Sequence, residues 1–186
     1  MLNLTLFIAT SLDNYIASPD GSVDWLFTDQ DYNYTSFYKN IHTLLLGRKT
    51  YDQILTFGPY PYPTKQSIVF THHTPDHNPH PDNITFADKS IIDYIHHLKS
   101  QHSINPTHLP EPEPQLNLWL VGGASLIHPL IHHNLIDTYI FSVHPVLLGK
   151  GVPLFPHSDN NPLLHLNHTK TESFPTGLVQ STYIKA

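Results

Sequence analysis

The amino-acid sequence predicts an α/β fold, a mostly parallel sheet with helices on both faces and an antiparallel hairpin at its end. Three observations predict it. Short apolar runs of strand character alternate with segments whose apolar residues return every three or four positions. Glycines stand at two junctions between such elements, Gly47 before Arg48-Lys49-Thr50 and Gly122-Gly123 before Ala124-Ser125. The chain then closes on two consecutive strand-like runs with a turn between them.

The first strand runs from Leu2 to about Thr10, where Leu2, Leu4, Leu6 and Ile8 alternate with Asn3, Thr5 and Phe7. A loop with Asp13, Pro19, Asp20 and Gly21 supplies turn chemistry and ends at Trp25. The spacing of Tyr34, Phe37, Tyr38 and Ile41 predicts a helix from about Asp29 to Asn40, with Asp29 as its N-cap. The apolar run His42 to Leu46 is the next strand, and the segment from Gly47 opens a helix. Ser67 to Thr71 and Ile84 to Phe86 are strands. The prolines of the intervening stretch, Thr74 to Pro81, make it a loop because they remove ladder donors. Asp88 reads as the N-cap of a helix reaching about Ser100, with Ile91, Ile95 and Leu98 on one face.

Asn105 to Gln115 carries four prolines and is the one linker-like stretch, too short to separate two domains. Leu116 to Val121 is a bulky apolar strand. The double glycine turns it into a helix bearing Leu126, Ile127, Leu130 and Ile131, in which Pro129 costs a hydrogen bond unless it lies near the first turn. Thr138 to Val143 is a strand, Gly149 and Gly151 mark a turn, and Leu163 to Ser173 with Leu178 to Ile184 make the final hairpin.

Composition narrows the function. A chain of 186 residues suits a single domain, residues 1–186, with a substantial core. Charged residues are 13% of the chain, about half the usual quarter, so solubility falls to Asn, Ser, Thr and the histidines. A net charge of -6 speaks against a nucleic-acid partner. Cysteine is absent, which excludes a disulfide framework and the thiolate zinc ligands of a fused nucleobase deaminase. The N-terminus has no basic leader, and no stretch approaches the roughly 20 apolar residues of a membrane span, so a soluble cytoplasmic protein is expected.

Ligands of open α/β sheets gather at the carboxyl ends of strands, where helix N-termini offer N–H groups to phosphates. Gly47 permits a sharp turn there, Arg48 and Lys49 bring positive charge, and Thr50 brings a hydroxyl. An arginine suits the 2′-phosphate of NADPH, since its planar fork grips a phosphate bidentately; a plain turn with solvated basic residues is the alternative. Gly122-Gly123 removes two side chains where a backbone could approach a pyrophosphate, and Ala124 and Ser125 keep the approach narrow. The spaced glycines and later acidic residue of an ordinary dinucleotide fingerprint are not found, so another phosphate-binding α/β fold is needed.

No metal is expected. His128 and His132 have ligand spacing on a helix, but no third ligand or intervening Glu accompanies them. The adjacent pairs His72-His73, His96-His97 and His132-His133 are not expected to point together.

Four segments carry a resemblance: 11–17 (SLDNYIA), 45–51 (LLGRKTY), 120–127 (LVGGASLI) and 143–155 (VHPVLLGKGVPLF). Together they resemble the dihydrofolate reductase superfamily, above all its bacterial branch with the reductase domain of the riboflavin-pathway deaminase-reductase. The likeness runs in order along nearly the whole chain, with the proline-rich stretch as an insertion. It implies a dihydrofolate reductase-like three-layer fold, NADPH as cofactor, and a homodimer. Gly47, Arg48 and Thr50 would hold the cofactor's phosphates, with Lys49 beside them. Thr71 and His72 would lie by the adenosine phosphate, and Gly122, Gly123, Ala124, Ser125 and Leu126 would cradle the pyrophosphate across a cis double-glycine peptide. Ala9 and Ile16 match positions lining the nicotinamide.

On the substrate side, Asp31 lies as far before the Gly-Arg motif as the acidic residue that dihydrofolate reductases use to hold the pteridine. Helical spacing would place it with Tyr34, Thr35 and Tyr38, and desolvation among aromatics would suit it to proton handling. The alternative is that Asp31 merely complements the positive end of its helix, and Asp29, otherwise the N-cap, is the competing carboxylate. Asp13 and Trp25 match residues near the substrate mouth, or else shape a turn and fill the core. The activity implied is hydride transfer from NADPH to a pteridine or to a pyrimidine of the 5-amino-6-(5-phosphoribosylamino)uracil type; the alternative is a catalytically silent NADPH-binding module. A phosphoribosyl substrate would call for an additional basic or hydroxyl cluster, which the sequence does not locate.

Overall fold

The computed structural model describes residues 1–73, 81–103, 115–155 and 162–186. Its elements, in chain order, are β1 (Leu2–Thr10), β2 (Tyr15–Ala17), α1 (Tyr34–Lys39), β3 (Thr43–Gly47), α2 (Arg48–Thr56), β4 (Gln66–Phe70), β5 (Ile84–Ala87), α3 (Ile91–Ser103), β6 (Leu116–Gly122), α4 (Ala124–His132), β7 (Thr138–Val143), β8 (Val152–Pro153), β9 (Leu166–Ser173) and β10 (Val179–Lys185). Residues 74–80 of the expected proline-rich loop and 105–114 of the linker-like stretch lie outside the described residues.

The main sheet has the order β5-β4-β3-β6-β1-β7-β10-β9. Its strands pair in parallel from β5 to β7, and β10 and β9 then add antiparallel. Alternation along the central strands divides the apolar residues between two layers. In β3, Leu45 faces one core while Leu44 and Leu46 face the other; in β6, Leu118 and Leu120 face the first and Trp119 the second. Helices α3 and α4 cover the first core through Ile91, Ile95, Ile127 and Leu130, and α1 and α2 cover the second through Tyr34, Phe37, Tyr38 and Tyr51. The predicted three-layer architecture is the observed one.

Local differences have local causes. The helix expected from Asp29 is only Tyr34–Lys39, because Tyr32 and Asn33 take left-handed backbone with φ 47° and 64°. Asp29 is therefore not a cap; its carboxylate accepts the Tyr32 hydroxyl at 2.5 Å. Helix α3 begins at Ile91, where the Ser90 hydroxyl accepts the Ile92 N–H at 3.2 Å, while Asp88, the expected cap, meets His72 Nδ1 at 3.2 Å. Pro129 lies well inside α4, which continues to a C-cap at His133, whose N–H donates to the Pro129 carbonyl at 3.0 Å. The rings of His132 and His133 meet edge to face at 5.4 Å, contrary to expectation, because His133 has left the helix. Strand β9 starts at Leu166 rather than Leu163.

The small β2–β8 sheet was not foreseen. Gly151 makes it possible, since a Cβ there would lie 2.3 Å from the Ala17 carbonyl oxygen. Among the described residues, no helix is long and apolar enough to cross a membrane, and no group of three His, Asp or Glu side chains is placed to hold a metal ion.

Candidate active site

Strands β3 and β6 are neighbours in the sheet, with Leu46 opposite Gly122, so the turns that follow them meet. A Cβ added to Gly47 would lie 3.3 Å from the backbone nitrogen of Gly123, and one added to Gly123 would lie 3.0 Å from Thr50 Oγ1. Gly47 and Gly123 are the N-cap residues of α2 and α4, and neither helix has a side-chain cap. Two sets of first-turn amides thus converge on one place with the positive ends of two helix dipoles. The peptide between Gly122 and Gly123 is cis, and Gly122 has φ 141°.

The groups expected around these turns are differently engaged. Arg48 Nε donates to both carboxylate oxygens of Asp52, one helical turn on, at 2.8 Å. That pairing fixes the side chain and leaves the terminal guanidinium donors available. Lys49 is exposed. Thr71 lies just beyond the end of β4, with its N–H on the Ala87 carbonyl and its hydroxyl on the His73 carbonyl at 3.0 Å. His72 beside it is exposed against Asp88.

A cavity of about 550 Å³ opens at the carboxyl ends of β1, β6 and β7. Phe7, Ala9 and Trp119 form its floor, Tyr34 of α1 one wall, and the loop from Leu26 to Tyr32 its roof, with Ser142, His144 and Leu178 at the far side. Trp119 lies on the same strand as Gly122, about 10 Å away at the usual rise per residue. The cavity and the glycine turns therefore share β6. Phe7, Phe37, Tyr34 and Trp119 pack edge to face around the floor. Burial and the neighbouring Tyr38, Asp31 and Tyr60 raise the Tyr34 hydroxyl far above the ordinary phenol range.

Asp31 lines this cavity. Its carboxylate is not enclosed by aromatics as expected; it is exposed, and Oδ1 accepts both the N–H of Thr35 at 3.0 Å and the Thr35 hydroxyl. That bonding completes the start of α1, which the left-handed Asn33 cannot cap. The described residues give Oδ2 no partner. Thr35, expected on the substrate side, spends its hydroxyl on Asp31 and does not line the cavity.

Of the other expected residues, Ala9 lines the cavity, whereas Ile16, Asp13 and Trp25 do not. Ile16 packs on the α3–α4 core. Asp13 clasps two loops: it accepts the Ser11 hydroxyl at 2.6 Å and the N–H groups of Leu148 and Gly149 at 3.1 and 2.6 Å. Led by the Ser11 bond, these hold its carboxyl below the ordinary 3.8. Trp25 stacks edge to face on His144 at 5.3 Å, and its Nε1 is buried with no partner among the described residues.

His144 is the residue that sequence reasoning missed. It is 3% exposed, Nε2 accepts the Phe27 N–H at 3.2 Å, and Nδ1 lies 3.2 Å from the Ser142 carbonyl. An N–H can only donate and a carbonyl only accept, so the ring is neutral with its proton on Nδ1. Burial holds its pKa below the ordinary 6.5, against the smaller opposing effect of its backbone bonds to Ser142 and Thr10. The ring pins the cavity's roof to the end of β7. Gln180 pins it again, donating to the Tyr32 carbonyl at 3.1 Å and to the Ser142 hydroxyl at 2.9 Å. The signal for His144 was its place just past a strand's carboxyl end, before a proline, in a segment already quoted for its resemblance.

Fold and site together define a class, the dihydrofolate reductase-like α/β proteins with a reductase-type fold. Within it the chain belongs to the RibD C-terminal domain family, whose model matches residues 112–180. It is 36% identical to the uncharacterized protein YwjB of Bacillus subtilis (strain 168) over 169 residues, covering 89% of each chain. It is 31% identical to the uncharacterized protein YyaP of the same organism, covering 97% of this chain and 93% of that one. Among solved structures it is similar to a proposed riboflavin biosynthesis protein from Shewanella sp. PV-4, with a TM-score of 0.79 and 27% identity over 99% of both chains. It shares its fold with a bifunctional diaminohydroxyphosphoribosylaminopyrimidine deaminase/5-amino-6-(5-phosphoribosylamino)uracil reductase from Thermotoga maritima. There the TM-score is 0.68 at 14% identity, and the match covers 99% of this chain and 56% of that one.

Proposed function

We propose that this protein, acting as one domain, is an NADPH-dependent reductase of a nitrogen heterocycle. The observation that carries this reading is the meeting of two helix N-termini without side-chain caps, at Gly47 after β3 and Gly123 after β6, beside the cavity that β6 also floors. A Cβ at either position would fill the cradle, so the residues present fit a polyphosphate pressed close to backbone. The first amides of α2 and α4 would hold the pyrophosphate, Arg48 and Lys49 would meet the extra phosphate, and Thr71 and His72 would border the adenosine end. Ala9, the small residue in the cavity floor, leaves room for a flat ring.

NADPH, when bound, supplies the hydride. The chain's own part is to hold a heterocycle over Phe7 and Trp119, to exclude water with the roof loop, and to offer Asp31 Oδ2 to a ring N–H at the rim. A cavity of about 550 Å³ is of the size that small-molecule sites usually have. Family membership supports the reductase reading, and a homodimer in the cytoplasm is the assembly and place proposed with it; light scattering checks the first.

The test is steady-state oxidation of NADPH with pteridine and pyrimidine acceptors, alongside calorimetric titration with NADPH. Turnover that falls at least tenfold in Asp31→Asn supports both the reaction and the role. Heat of binding without oxidation of any acceptor would assign a silent dinucleotide-binding module instead. No heat at all would remove the cofactor reading.

A further inference from the structure

The charge of the cavity selects among heterocycles. Among the described residues Asp31 is the one carboxylate in its wall, and Asp29 stands beside the roof, accepting the hydroxyl of the roof residue Tyr32. All nine lysines and arginines of the sequence lie among the described residues, and none lines the cavity. Several are committed elsewhere: Arg48 to Asp52, Lys99 to Asp137, Lys170 to Glu172, and Lys185 to the Asn134 carbonyl. The histidine that lines it, His144, is neutral, with both ring nitrogens bonded to backbone. The start of the nearest helix is also engaged, the Tyr34 N–H by the Asp31 carbonyl and the Thr35 N–H by the Asp31 carboxylate.

A phosphate monoester carries about −1.5 to −2 charges near neutral pH and is normally gripped by Arg, Lys or a free helix N-terminus. This cavity has none of these and one fixed negative charge. What it offers instead is aromatic surface, the hydroxyls of Thr28 and Ser142, the amide of Gln30 and a carboxylate acceptor. We propose that the cavity takes a flat nitrogen heterocycle without phosphate, neutral or cationic, in place of a phosphoribosyl derivative. This rests on the cavity being the substrate half of the reductase site. It also sets the chain apart from the bifunctional Thermotoga maritima protein, whose named substrate is phosphorylated.

The test uses the full-length chain and two probes, a ribosylaminopyrimidine and its 5′-phosphate, titrated separately while tryptophan emission is followed. Trp119 lies in the cavity floor and reports its occupancy. The expected result is at least tenfold tighter binding of the unphosphorylated probe, with the gap narrowing at high salt as Asp31 is screened. Gln30→Arg, at an exposed wall position where folding is not at stake, is expected to improve binding of the 5′-phosphate alone by about tenfold or more. Equal or tighter binding of the 5′-phosphate to the natural chain overturns the proposal, as does failure of both probes to bind. NADPH oxidation is measured in parallel. If the preference holds but no acceptor is reduced, the reductase reading fails and the selection against phosphate stands.

Discussion

The glycine turns and the cavity roof lie along the same edge of the sheet but are built by opposite means. At the turns everything is local: a strand ends, a glycine follows, and uncapped amides begin a helix. At the roof almost nothing is local. Phe27 is held by His144, Tyr32 by Gln180 and by the Thr176 hydroxyl, and Asn33 by Glu172 and Gln180. A site made from backbone shape has little freedom to change, whereas one hung from distant side chains can be retuned residue by residue. Because function resides in the site and not in the scaffold, the roof is the part of this fold where specificity can be altered with the least cost to the rest.

Crowding the backbone site should have the largest effect. Gly47→Val would place a branched side chain against the Gly123 nitrogen at 3.3 Å and Leu126 Cγ at 3.6 Å. The expected result is about a hundredfold loss of NADPH affinity by calorimetry, equivalent to roughly 3 kcal/mol, with heterocycle quenching of Trp119 little changed. Equal loss of both would mean that the two regions are not separable.

His144→Ala attacks the other side. It removes a bond to the roof and the ring on which Trp25 and Phe27 pack. It should cost about 2–3 kcal/mol in urea unfolding and weaken heterocycle binding about tenfold, leaving NADPH affinity within about twofold, since every 1.4 kcal/mol is tenfold.

The same residue gives a smaller, pH-dependent effect. Its folded pKa is depressed, so at pH above about 6.5 the ring is neutral whether folded or not. Below that the unfolded chain takes up the proton first, and stability falls as pH drops from 6.5 towards the folded pKa. His144→Gln keeps an acceptor and cannot titrate. The difference in unfolding free energy between natural chain and variant should therefore slope across that window and be flat above it. A flat difference throughout would mean that the ring is not held neutral.

The smallest effect is expected at the loop clasp. Ser11→Ala removes the 2.6 Å bond that does most to depress Asp13. A carboxylate depressed in the fold stabilises it above the ordinary value of 3.8 and loses that contribution as pH falls below it. The variant should show a higher Asp13 titration midpoint by NMR and a shallower loss of stability below pH 4.

The legibility of the sequence follows the same division. The helix face at Tyr34, Phe37 and Tyr38, the apolar runs that form β3 and β6, and the glycine junctions are short-range patterns, and they were read correctly; that β3 and β6 divide their side chains between two cores was not read from them. Helix α1 was drawn too long because nothing in the spacing of Asp29, Asp31 and Tyr34 betrays left-handed backbone at Tyr32 and Asn33. Asp31 was placed at the cavity, but its work as the cap of α1 was credited to Asp29. His144 was passed over because the partner defining it, the Phe27 N–H, lies 117 residues away. Sheet β2–β8 was missed for a similar reason, since its strands are three and two residues long.

At the opposite edge of the sheet, Asp137 gathers both ends of the described chain. Its Oδ2 accepts the Leu4 N–H and its Oδ1 the Lys99 ammonium, both at 2.9 Å, while its carbonyl accepts the Lys185 N–H at 3.0 Å. Strands β1 and β10 flank β7 here, so Leu4 and Lys185 lie roughly 10 Å apart at two strand spacings. Anything fused before Leu2 or after Lys185 departs from the face turned away from the cavity. A few linking residues would also suffice to join the two ends, so that circularly permuted chains reopened at a surface turn should keep the ligand edge intact.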